Sequence, residues 1–219
     1  MLYSTDWSVI PNNMGLFLKG VLLTLEISVL ALLFSIPIGI IVGLLRISRN
    51  KIVSFVATAY VEVMRGIPLL VLLFWIFFVM GQFLRLGPYW SAVLGLATFS
   101  GAFVAEIVRA GIQSVPKGQM EAARSSGMTY TQAMRLIILP QAFRKVLPPL
   151  ASQFIILIKD SSLVSVISVV DLTLIAKNLV ATSFRSLEVW TFVALLYFLI
   201  TFTLSQIIRY FEKKYQVSE

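Results

Sequence analysis

The sequence predicts an all-α membrane protein. It has about five transmembrane helices, its N-terminus outside, and a cytoplasmic helical stretch between helices 3 and 4. Three observations carry this reading. The 219 residues are 58% hydrophobic and 13% charged, with a mean hydropathy of +0.92; soluble domains are about half apolar at most and about a quarter charged. The apolar residues gather into runs of the ~20 residues that a helix needs to cross the hydrocarbon core. The Lys and Arg residues fall between those runs, and they fall unevenly.

Helix 1 covers about residues 16–45 and ends in GLLRISRNK. It carries Pro37 and the pair Gly39 and Gly43. Small residues four apart let helix backbones approach closely, so this face is expected to pack on another helix of the chain. Helix 2 covers about 52–80, long enough to tilt, and Gly66 and Pro68 interrupt it. Helix 3 covers about 91–112, helix 4 about 146–170 and helix 5 about 190–208. The whole chain, 1–219, reads as one transmembrane domain with no internal repeat. The opening MLYSTDWSVIPNNMG lacks the pattern of a signal peptide.

Orientation follows from the basic residues near the helix ends. Arg46, Arg49, Lys51, Arg109, Lys117, Arg124, Arg135, Arg144, Lys145, Arg209, Lys213 and Lys214 lie on one side, and Arg85, Lys177 and Arg185 on the other. The richer side is expected to be cytoplasmic. In a soluble chain the net charge of +8 would point to nucleic acid; topology accounts for it here, and no nucleic-acid partner is expected. The chain has no Cys and no His, which argues against disulfides, metal sites and triad chemistry.

The interval 113–145 departs from its apolar surroundings. Ser114 and Pro116 can open a helix as N-cap and first-turn proline. Gly118 precedes good helix formers at 119–124, and Ser125-Ser126-Gly127 stops them. Thr129 caps a second short helix, 130–138, which Pro140 is expected to close. Ala122 and Ala123, flanked by Glu121 and Arg124, make a flat face suited to docking against another protein; an ordinary solvated loop helix is the alternative.

Charged groups at membrane depth are costly and mark functional positions by default. Lys19 can snorkel to the surface. Glu106 and Arg109 read as an i,i+3 pair, and Glu26 as either an internal hydrogen-bonding residue or a substrate contact. Two clusters stand out. Glu62, Met64 and Arg65 lie just before the Gly66–Pro68 break. Gln153 shares a helix face with Asp160, inside the polar run Lys159, Asp160, Ser161 and Ser162. Carboxylates at Glu62 and Asp160 beside cations at Arg65 and Lys159 suit a zwitterion. This favours an amino acid over a sugar or a metal ion, a basic one more than the acidic or amide ones that are the alternative. An interhelical salt-bridge network is the other reading of these residues.

Glu121-Ala122-Ala123, Gly127, and Ile137-Ile138-Leu139-Pro140 keep the spacing E-A-A-x₃-G-x₉-I-x-L-P. This is similar to the signature of bacterial ABC importer permeases. The segments MRGIPLLVLLFW (64–75), AEIVRAGIQSVPKGQMEAARSSGM (105–128), IILPQAFRK (137–145) and LIKDSSLVSVI (157–167) resemble the polar amino-acid branch of that family. Met64 stands where the family often has Phe.

The resemblance implies a multi-pass permease of a type I importer in the bacterial inner membrane, working by alternating access. It implies that the stretch around Gly118, Glu121, Ala122, Ala123, Gly127 and Pro140 is a coupling helix docking into a cytoplasmic ATP-binding subunit, present in two copies. A second permease subunit, identical or homologous, and an extracytoplasmic amino-acid-binding protein are the other implied partners, besides lipid and the amino acid. The chain has no phosphate-binding loop, so it is expected to be no enzyme and to bind no cofactor, with ATP and Mg²⁺ held by the ATPase. A secondary transporter is disfavoured by the missing repeat, and a channel by a docking element without a use.

Overall fold

The structure, a computed structural model, describes residues 5–215. Residues 1–4 of the stretch read for a signal peptide lie outside the described residues, as do 216–219 and the side chains of 212–215, among them Lys213 and Lys214 of the charge count. The described residues contain helices and no strand. The helices are α1 (Val9–Asn12), α2 (Met14–Arg46), α3 (Lys51–Gly66), α4 (Leu69–Trp75), α5 (Gly81–Leu84), α6 (Pro88–Gln113), α7 (Lys117–Ser125), α8 (Tyr130–Ala133), α9 (Leu139–Asp160), α10 (Leu172–Ser183) and α11 (Ser186–Tyr215). Wider π-helical turns, Ile76–Met80 and Met134–Ile138, join α4 to α5 and α8 to α9, and a 3₁₀ helix, Ser161–Ile167, continues α9.

Four stretches are long and apolar enough to cross a membrane: Met14–Arg46, Pro88–Gln113, Tyr130–Ile167 and Ser186–Phe211. A fifth is reached only by pairing Lys51–Gly66 with Leu69–Leu84 across a sharp bend. The break has a local cause. Proline excludes the α region for the residue before it, and Ile67 is extended at φ −92° and ψ 132°. Pro68 then starts α4 from its own extended position, φ −58° and ψ 134°.

The chain divides into two compact units. One comprises Leu33–Ile67 and Thr98–Gln153. In it α2 meets α6 through the predicted glycines. A Cβ on Gly39 would come within 2.3 Å of Val104, and one on Gly43 within 2.8 Å of the Ala105 carbonyl, so only glycine permits this approach. Val104, Val108 and Ile112 of α6 continue into a core with Val115, Ile138, Ala142 and Val146, against which Met120 of α7 packs.

The other unit comprises Met1–Leu32, Pro68–Ala97 and Phe154–Glu219. Its core joins Val9 and Ile10 of α1, Phe17 of α2, Leu172, Ala176 and Leu179 of α10, and Val189 and Val193 of α11. The helix α10 is absent from the sequence-based expectation. Asp171 caps it, its carboxylate accepting the Leu174 N–H at 2.8 Å. Leu172, Ile175, Ala176 and Leu179 form its buried stripe at i, i+3, i+4 and i+7.

Three local expectations are corrected. Ser114 does not cap α7: its hydroxyl donates back to the Gly111 carbonyl at 2.8 Å, and Pro116 holds the cap position. Pro140 closes no helix; the chain runs without a break from the π-helical turn Met134–Ile138 through Pro140 into α9, and the widened turn just before it accommodates the proline's missing N–H. Helix 4 is α-helical only to Asp160, because Ser161 and Ser162 donate to the carbonyls three residues back, at 2.7 Å each. That pattern tightens the chain into the 3₁₀ segment ending at Ser168, whose φ is 64°.

Candidate functional site

The expected docking element is a discrete helix, α7. Its C-terminus closes with two backbone bonds, Gly127 N–H to Arg124 O at 3.1 Å and Met128 N–H to Ala123 O at 3.2 Å. This paired closure needs a left-handed residue after the helix, and Gly127 supplies it at φ +86°. The chain then re-enters helix through a reciprocal cap: the Thr129 hydroxyl accepts the Gln132 N–H at 3.3 Å, and the Gln132 side chain accepts the Thr129 N–H at 2.8 Å. Both devices were legible in the residue types.

The two faces of α7 differ. Met120 and Ala123 turn inward, Ala123 being 7% exposed. Gly118, Glu121, Ala122 and Ser125 are all exposed, and their i, i+3, i+4, i+7 spacing puts them on one stripe. The expected flat face of two alanines is therefore split, and the open stripe is built from Gly118, Ala122 and Ser125 around Glu121. A Cβ at Gly118 or Gly127 meets nothing within 4 Å. Pro140 is exposed as well. Lys145 of α9 donates to the Ser114 carbonyl at 3.0 Å, and Gln141 to Gln119 at 3.4 Å, so α7 is tied to the start of α9.

In the same unit lie Glu62, Met64, Arg65 and Gln153. Glu62 stands 3.9 Å from Arg46, with its side chain 67% exposed. Met64 packs beside Val61, Ala102 and Ala105. The Arg65 guanidinium lies 5.4 Å from the centre of the Phe103 ring, a cation–π contact. Gln153 is buried and donates to the Ser100 hydroxyl at 3.4 Å. Arg46 is paired more closely with Glu106, which also holds Arg109. The i,i+3 reading of Glu106 and Arg109 is thus correct, but Arg46 is a packing partner rather than a loop charge.

In the other unit lie Lys159, Asp160, Ser161 and Ser162. Lys159 is exposed and lines a groove of about 230 Å³ with Ile155 and with Phe198, Thr201, Phe202 and Ser205 of α11. Asp160 is half-buried. Ser161 and Ser162 both spend their O–H groups on carbonyls three residues back; Ser161 is fully buried, so only the partly exposed Ser162 oxygen is left as an acceptor. It and the Asp160 carboxylate are each suited to a cationic group. Glu26 accepts the Tyr89 O–H at 2.5 Å, as the internal hydrogen-bonding reading has it. Asp171 and Lys177 belong to this unit too; Lys177 entered the sequence reading only as a charge between helices and Asp171 not at all, because α10 was not foreseen.

Residues 35–217 match the family described as the inner membrane component of binding-protein-dependent transport systems. The chain is 43% identical over 212 residues to the probable glutamine ABC transporter permease protein GlnM of Bacillus subtilis (strain 168), covering 96% of this chain and 98% of that one. It is 37% identical over 222 residues to the glutamate/aspartate import permease protein GltK of Escherichia coli O157:H7, covering 97% and 99%. A crystal structure of an amino acid ABC transporter with histidines matches with a TM-score of 0.92 at 39% identity, covering 97% of this chain and 100% of that chain. The chain is a multi-pass membrane permease, and it belongs to the family of binding-protein-dependent transport system inner membrane components.

Proposed function

We propose that this chain is the membrane-spanning subunit of an ATP-driven importer for a polar amino acid, with α7 as its coupling helix. The observation that carries the reading is the open stripe Gly118–Glu121–Ala122–Ser125 on a helix closed at its C-terminus by Gly127. Such a stripe lets a partner backbone approach closely, and the ties from α7 to α9 give the partner's motion a route into the membrane-spanning part. A cytoplasmic ATP-binding subunit is the occupant that fits. The uneven Lys and Arg distribution supports placing α7 in the cytoplasm and the N-terminus outside. A second permease subunit and an extracytoplasmic binding protein complete the assembly, in keeping with relatives named as ABC transporter permeases. ATP and Mg²⁺ belong to the ATPase, and inward and outward openings alternate as it closes and reopens.

For the substrate, the acceptors at Asp160 and Ser162 support recognition of an ammonium, while Ser161 is fully buried. Glu62, the spare carboxylate behind the expectation of a basic substrate, is largely exposed and stands 3.9 Å from Arg46, whose closer partner is Glu106. Relatives are named for glutamine and for glutamate/aspartate. An amino acid with an amide or acidic side chain is therefore favoured over a basic one. The test is ATP hydrolysis by the permease–ATPase complex in the presence of L-glutamine, L-glutamate or L-arginine. Stimulation by one of these that Asp160→Asn abolishes supports the reading; hydrolysis indifferent to all three in a complex supplied with its binding protein counts against it.

A further inference from the structure

The docking region touches a second part of its own unit besides α9. Residues 47–50 join α2 to α3, and they meet that region in two places. Ile47 packs against the core of Val115, Ile138 and Ala142, on which Met120 of α7 also rests. At the surface, the Arg49 guanidinium lies 4.8 Å from the centre of the Tyr130 ring, a cation–π contact with the first residue of α8. Both side chains are exposed, and among the described residues no carboxylate pairs with Arg49. The reciprocal Thr129–Gln132 cap fixes the helix start on which Tyr130 stands, just after Gly127.

The connection that carries Arg49 is stiff. The Asn50 N–H donates to the Ser48 hydroxyl at 3.2 Å. Asn50 caps α3 by accepting the Ile52 and Val53 N–H groups at 3.0 and 3.3 Å. Ser54 of α3 donates to the Arg46 carbonyl at 2.8 Å. A displacement of Arg49 is therefore passed to the start of α3, and α3 runs from there to the Gly66–Pro68 break.

Resting on the coupling-helix reading above, we propose that Arg49 and Tyr130 form a second coupling contact, through which movement of α7 and α8 reaches α3. Both are positioning residues. Neither belongs to the stripe offered to the ATP-binding subunit, and their stack acts by making the start of α3 follow α8.

The test uses the complete importer, with its ATP-binding subunit and binding protein, in proteoliposomes. It reads amino acid taken up per ATP hydrolysed, with L-glutamine and L-glutamate as probes. For Arg49→Gln and Tyr130→Leu this ratio is expected to fall about threefold, the scale of an exposed cation–π contact. The double variant should fall no further than either single one, because both remove the same contact. Arg49→Lys and Tyr130→Phe keep a cation and a ring, and should stay within about 1.5-fold of wild type. Co-purification of the ATP-binding subunit should be unchanged in all of them. An unchanged ratio in Arg49→Gln and Tyr130→Leu overturns the proposal, as does an additive loss in the double variant. Loss of the ATP-binding subunit from Arg49→Gln also overturns it, by making Arg49 a docking residue. A wild-type importer without ATP-dependent uptake of either probe defeats the coupling-helix reading itself, and this contact's role with it.

Discussion

Arg46, the last residue of α2, ion-pairs with Glu106 in the middle of the chain, although sixty positions separate them. The Arg46 side chain is 10% exposed and that of Glu106 27%. The close glycine-mediated approach of α2 to α6 brings the two together, and Glu62 and Arg109 flank the pair. Removing one member of a buried charged pair leaves the other desolvated and partnerless. Arg46→Met is accordingly expected to cost about 2 kcal/mol, against less than about 1 kcal/mol for Glu62→Gln, whose exposed carboxylate gains little from a distant cation. Thermal unfolding of the purified complex measures both, and equal losses would contradict this ordering.

Gly39 and Gly15 provide a test of the helix contact within one helix. A Cβ at Gly39 would overlap Val104, while one at Gly15 meets nothing within 4 Å. Gly39→Val is expected to cost about 1–3 kcal/mol by overpacking and to lower the yield of folded protein. Gly15→Ala should be neutral or slightly stabilising, since alanine has the better helix propensity. Fluorescence-detected size-exclusion after heating reads out both, and a Gly39→Val protein as heat-resistant as wild type would refute the close approach.

The exposed stripe of α7 separates folding from docking. Ala122→Trp and Gly118→Trp add bulk where the protein itself has room, so melting should change by no more than about 0.5 kcal/mol. Co-purification with the ATP-binding subunit should be lost. Gly127→Ala differs, because its Cβ has space but its φ of +86° does not suit an L side chain. It is expected to cost about 1 kcal/mol and to weaken docking by loosening the end of α7. Retention of the ATPase by both tryptophan variants would remove α7 from the interface.

Asp171 sets a pH dependence. Its side chain is fully buried, and burial holds its carboxyl above the ordinary 3.8, with hydrogen bonds from Leu174 and Thr173 offsetting part of the rise. A carboxyl raised in the folded state favours folding while protonated. Its contribution is complete below the unfolded pKa and is lost as pH rises through the folded one. Wild-type stability should therefore fall as pH climbs above about 4 through this window. Asp171→Asn, which keeps an acceptor for the Leu174 N–H, should flatten that part of the profile. A steeper decline in Asp171→Asn than in wild type would show the opposite sign.

Much of this architecture is legible in the residues, and the failures have physical causes. Apolar runs locate α2, α6 and α11 because a membrane span needs length and little else. Gly66 and Pro68 announce the broken span, and Gly127 and Thr129 announce the ends of α7 and the start of α8, because their effects are local. Pro140 misleads because the π-helical turn Met134–Ile138 just before it lets the helix continue through the proline. The helix α10 is hidden because Lys177 and Asn178 make its outer face look like loop, while its signal, the Asp171 cap before Leu172, Ile175, Ala176 and Leu179, is shorter than a span. The partnerships Arg46–Glu106 and Arg49–Tyr130 depend on which elements meet, and neither has a local signature.

The central claim is that this chain moves a polar amino acid only when an ATPase works on α7. The most direct measurement is uptake of radiolabelled L-glutamine, L-glutamate and L-arginine into proteoliposomes holding the permease, its ATP-binding subunit and the binding protein. The account predicts uptake of at least one of them that needs ATP, is abolished by Ala122→Trp, and does not occur with the permease alone under a proton or sodium gradient. Gradient-driven uptake by the permease alone, or ATP-dependent uptake undiminished in Ala122→Trp, would contradict it.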